Sequence, residues 1–213
     1  MSLDYLETHF HSAKALYRQR MGWLQAERID MQSMLDLEYR IRIHLHVLAG
    51  AIDEKAEEPS QCPDTFVYLA SRFTSRDDKH QHQAAQQACE WLLDEGPRGH
   101  GARDALLLFP SPQTYAVMQQ VYEESPPLRP LLIYILTQHG ARLPKGLTNQ
   151  AELQTQDPYL QAQVLYYAAN DHKNSVEIFH SYYQPLIELQ HTPDLEHGSL
   201  VAALWGGLVR QDP

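Results

Sequence analysis

The sequence predicts an all-α protein: an α-solenoid of antiparallel helix pairs over residues 64–213, preceded by an N-terminal helical pair over 1–58. Three observations carry this. A short phrase occurs three times, as Ser125-Pro126-Pro127-Leu128, Asp157-Pro158-Tyr159-Leu160 and Thr192-Pro193-Asp194-Leu195. Its first prolines, Pro126, Pro158 and Pro193, are 32 and 35 residues apart, a period found in helical repeats. Each copy opens an apolar run rich in Ala and Leu: Leu131 to Leu136, Val164 to Ala169, and Leu200 to Leu204. The phrase has the chemistry of a helix start. Ser, Asp and Thr can cap the first orphan amides with a side-chain oxygen. Proline fits the next position, where its missing N–H costs nothing.

Taken in order, residues 3–28 place Leu3, Leu6, Phe10, Ala13, Leu16, Tyr17, Met21 and Leu24 at helical steps. Residues 31–52 admit two periods. Leu35, Leu37, Tyr39, Ile41, Ile43 and Leu45 alternate with Asp36, Glu38, Arg40, Arg42 and His44, as in a strand with one wet face. Leu37, Ile41, Leu45, Leu48 and Ile52 equally form a helical stripe. A lone strand has no partner for its backbone, so helix is expected. Residues 54–63 read as a linker. A short helix follows over Asp64 to Phe73, then one capped by Asp77 or Asp78 and running to about Leu93. Gly96-Pro97-Arg98-Gly99-His100-Gly101 reads as a loop; it lacks the spacing of a phosphate-binding loop. Arg103 to Phe109 is a short helix, and Ser111-Pro112 starts another that reaches Glu123. Second helices of the repeats are expected over Gly146 to Gln154 and over Ser175 to Gln190, the latter broken or kinked by Pro185. The final Gln211-Asp212-Pro213 resembles another helix start, so further repeats are expected beyond it.

Helix pairs of this length and texture resemble HEAT-type repeats over roughly residues 75–213. A sharper likeness lies in Leu35-Asp36-Leu37-Glu38-Tyr39-Arg40-Ile41-Arg42-Ile43-His44-Leu45-His46-Val47-Leu48-Ala49-Gly50. This segment resembles the N-terminal signature of a bacterial family of uncharacterised HEAT-repeat proteins, some encoded near type VI secretion components. The resemblance implies a helical solenoid with a protein-binding role. It brings no catalytic residues.

Composition bounds the function. The chain has 213 residues, 43% hydrophobic and 21% charged, and a net charge of −10. There is no basic footprint for nucleic acid. No apolar run reaches the length of a membrane span, and Met1 to Phe10 has no secretory pattern. The default expectation is therefore a cytoplasmic protein whose partner is another protein, with a basic surface as the complement to −10. Cys62 and Cys89 have no metal-binding spacing; Cys89 reads as a small core residue, and Cys62 as a thiol in a proline-bracketed loop with no base beside it.

Three His-x-His pairs, His9/His11, His44/His46 and His80/His82, invite a metal. Residues two apart on a helix point about 200° apart and cannot chelate together. No metal or cofactor is expected, and the carboxylate pairs Glu57/Glu58 and Glu123/Glu124 read as solvated. Tyr182 and Tyr183, with His180, fall in a second helix, the kind that lines the concave face of a solenoid. They are the candidate binding residues. Of Tyr166 and Tyr167, in a first helix, one is expected in the core. The expected function is a non-catalytic protein-interaction module, a scaffold or adaptor accessory to a bacterial secretion system. The alternatives are an immunity-type inhibitor of a toxin and, with no motif to support it, an enzyme with its site between the N-terminal helices and the repeats.

Overall fold

The computed structural model describes residues 3–25, 30–52, 58–94 and 96–139. Among these the protein is all-helical. Its elements are α1 (Leu3–Leu24), α2 (Met31–Ala49), α3 (Cys62–Phe73), α4 (Asp78–Trp91), α5 (Pro97–Leu108), α6 (Pro112–Glu124), a 3-10 turn (Pro126–Leu128) and α7 (Arg129–Gln138). Two compact units make up the chain, Met1–Gln120 and Val121–Pro213, and the division falls within α6. No described helix is long and apolar enough to cross a membrane.

The first unit is built around α3, which packs against α1, α2, α4 and α5. Its Phe66, Val67, Leu69, Ala70 and Phe73 are all buried. Helices α1 and α2 lie antiparallel. His9 meets His44 near one end of the pair, while Arg20 meets Glu38 further along. The inner side of α1 is Ala13, Leu16 and Tyr17, and that of α2 is Met34, Leu37, Ile41 and Leu45. On α4, small residues Ala84, Ala85, Ala88 and Cys89 face inward, which brings that helix close to its neighbours.

Local chemistry explains the helix starts. Asp30 caps α2, accepting from the Gln32 and Ser33 amides at 3.2 and 3.3 Å. Its carboxyl is held below the usual range, first by the Ser33 hydroxyl and then by the Gln32 amide. Asp77 caps α4 by accepting from the Lys79 amide at 2.9 Å. Ser111 and Thr114 form a reciprocal cap on α6: the Thr114 amide donates to Ser111 Oγ at 3.2 Å, and the Ser111 amide to Thr114 Oγ1 at 3.1 Å.

Two expectations need correction. The Gly96–Gly101 segment is not a loop; Gly96 is the cap and Pro97 the first residue of α5. Its glycines serve packing. A Cβ on Gly101 would lie 2.5 Å from the Cys62 carbonyl oxygen and 2.8 Å from Thr65 Cβ, so a bare backbone lets α5 cross α3 at close range. Ser125 also fails as a side-chain cap: the helix begins with a 3-10 turn, and Ser125 makes no capping bond through its hydroxyl. In that region the Arg129 guanidinium instead donates to the Tyr122 and Glu123 carbonyls, at 2.8 and 3.1 Å, and ties α7 to the end of α6. The copies of the phrase at Asp157 and Thr192 lie outside the described residues.

Candidate functional site

Helix α2 carries two apolar stripes. The inner one is the core set above. The outer one, Met31, Leu35, Tyr39 and Ile43, advances four residues at a time and is open to water. Tyr39 is 66% exposed, Met31 65%, Leu35 56% and Ile43 44%. Single exposed apolar residues are ordinary. Four in a row on one helical ridge make a patch, and patches of this kind mark contact surfaces. Exposed polar residues flank it: Gln32 and Asp36 on one side, Arg42 and His46 on the other. Asp36 accepts from Gln32 Nε2 at 3.1 Å, and the Arg42 guanidinium sits 5.4 Å from the centre of the Phe109 ring. The alternation along residues 35–47 is thus two opposed helical stripes rather than the two faces of a strand.

The same unit holds a buried polar cluster. The Tyr17 hydroxyl donates to Asp104 Oδ2 at 2.5 Å and lies 3.3 Å from Cys62 Sγ. Burial, then the Asp104 carboxylate, pushes the Tyr17 hydroxyl far above its ordinary range, so it stays a neutral donor. With its one proton committed to Asp104, the phenol oxygen is left to accept from the Cys62 thiol. Arg103 Nε approaches the other carboxylate oxygen at 3.5 Å. Tyr17 also stacks on Phe66, ring centres 4.0 Å apart. The cluster ties α1, α3 and α5 together. Cys62 is therefore half-buried at the first turn of α3 rather than exposed in a loop. Burial pushes its thiol up, the opposite of an activated nucleophile. The Cys89 thiol is pushed up to about 12 by burial.

A second contact missed by local spacing joins two of the His-x-His pairs. His9 Nδ1 and His44 Nδ1 are 2.8 Å apart, with Tyr5 packed on His9. One ring must donate and the other accept. His44 is shifted down from 6.5, by burial first, then by His9 and Arg40. The fold thus favours neutral His44. Its contribution is complete above the ordinary histidine value and is lost as pH falls below it. Among the described residues, no group of three or more His, Cys, Asp or Glu is placed to hold a metal.

A cleft of about 770 Å³ lies where the end of α2 meets the α3–α4 junction, lined by His46, Ile52, Arg76, Asp77 and His80, among others. Its charges are mixed, and Asp77 is already committed to capping α4. Tyr182, Tyr183 and His180, the binding residues expected from the sequence, lie outside the described residues, as do Tyr166 and Tyr167. No family model matches the chain, and no curated protein or solved structure does either.

Proposed function

We propose that this chain is a non-catalytic protein-interaction module that engages its partner through the outer face of α2. The observation that carries the reading is the exposed row Met31, Leu35, Tyr39 and Ile43. Large apolar side chains, an aromatic among them, are the usual anchors of protein contacts. The buried cluster supports the same reading, because its tyrosine and cysteine are both held protonated. A role as scaffold or adaptor in a bacterial secretion setting follows from the resemblance of residues 35–50 and from nothing else. The solenoid arrangement of the repeats and their Tyr182, Tyr183 and His180 surface belong to the same proposal.

The tagged chain, expressed in its native host, tests this when the captured proteins are identified by mass spectrometry. A stoichiometric partner captured by the wild type and lost with Tyr39→Asp supports the α2 surface. Loss only with Tyr182→Ala and Tyr183→Ala together moves the contact to the repeats. Capture unchanged by either variant contradicts both surfaces.

A further inference from the structure

The first turns of α1 are lightly held. The fully buried residues of this helix are Ala13, Leu16 and Tyr17. From Ala13 onward α1 is anchored by the Lys14–Asp64 ion pair, the Tyr17–Asp104 hydrogen bond and the Arg20–Glu38 ion pair. Residues 4–12 bury nothing completely: Leu6, His9, Phe10 and Ser12 are half-buried and the others exposed. Helix segments with so little burial are the first to open. A hydrogen bond joins this stretch to α2, between His9 and His44. Its Nδ1 atoms are 2.8 Å apart and the ring centres 4.9 Å, so the two nitrogens lie between the rings and face each other. Two neutral rings share one N–H across such a contact, and one charged ring donates to a neutral one. Two charged rings have donors on both sides, no acceptor, and like charges at hydrogen-bond distance. No carboxylate offsets the second charge. The charges that act on His44 are His9 and, on its own helix, Arg40; α3, which also packs on α2, adds none. On α1, Tyr5 packs on His9, and Glu7 is turned to His11 at 3.8 Å.

We propose that His9 and His44 form an acid-released clasp between α1 and α2. The first turns of α1 lie on α2 while the pair carries at most one charge, and they lift from it when both rings are protonated. The remainder of α1 stays in place through Lys14, Tyr17 and Arg20. The closed pair takes up one of the two protons that the open pair can bind, so mild acid favours the open form. This device is independent of the contact surface on the outer face of α2.

Amide hydrogen exchange of the full chain at about pH 7.5 and about pH 5, corrected for the intrinsic effect of pH on exchange, tests this. An open His44 near its ordinary value is protonated about thirty to one at pH 5. Protection of the amides of residues 7–12 should therefore fall about tenfold or more on acidification, while that of α3 stays within about twofold. In His44→Gln the side chain can still hydrogen-bond His9 but never carries the second charge, so the fall at residues 7–12 should shrink to less than about twofold. His9→Gln makes the same test from the other helix, and thermal melts at the higher pH show that either variant folds. A wild type whose first turns keep their protection at the lower pH overturns the proposal. So does a fall of equal size in both variants, or a fall in α3 in step with α1, which would be general acid unfolding.

Discussion

Gly101→Ala destabilises the protein by about 2–4 kcal/mol, although alanine is the better helix former. In an open helix the exchange should gain about 0.5–1 kcal/mol. Here the new methyl would sit 2.5 Å from the Cys62 carbonyl oxygen, 2.8 Å from Thr65 Cβ and 3.1 Å from the Phe66 amide nitrogen. Two of those three atoms are backbone, so α3 and α5 must part, and the packing of Phe66 opens with them. Gly22, in α1, has nothing within 4 Å of the same methyl and is exposed. Gly22→Ala should therefore stabilise. Thermal melts of the two variants give opposite signs on this account, with Gly101→Ala lower by roughly 5–15 °C. Two shifts of the same sign would mean that α5 does not cross α3 at Gly101.

Tyr17→Phe costs about 2–3 kcal/mol for the loss of one oxygen atom. The ring still stacks on Phe66, so apolar burial is almost unchanged. What is lost is the donor to Asp104, a side chain only 10% exposed, with Arg103 remaining at 3.5 Å. A buried acceptor without its donor is more costly than the hydrogen bond is favourable. Asp104→Asn should cost a similar amount alone. The double variant should cost clearly less than the two together, with a coupling of about 1–3 kcal/mol. Strict additivity in denaturant titrations would show that the two groups do not meet.

These two positions also show what local sequence can and cannot convey. The helix starts at Asp77 and Ser111 are legible, because a cap is a contact between residues two or three apart; the cap at Asp30 has the same short reach but is not picked out by the pattern that marks the others. The helical state of α2 is legible too, its strand-like alternation resolving into stripes on opposite sides of one helix. The glycines of α5 read locally as a loop, yet they lie in a helix. Nothing local reveals that a distant helix needs Gly101 to be bare. Tyr17 and Asp104 are 87 residues apart, and His9 and His44 are 35 apart, so neither pair has a spacing signature. At Ser125 the cap chemistry was present in the residue type but not used. The outer stripe of α2 did leave a signal: its residues recur every fourth position, with acids before Tyr39 and bases after it. The inner stripe at the same spacing masked it.

The most direct test of the account is a photo-cross-link from the outer stripe of α2. Tyr39 and, as a control on another helix, Glu90 are both exposed, and each is replaced in turn by a benzophenone-bearing amino acid in the full chain expressed in its native host. On irradiation the Tyr39 position should give one discrete cross-linked protein adduct, and the Glu90 position should give none. No adduct at Tyr39, or the same adducts from both positions, would contradict a contact surface on the outer face of α2.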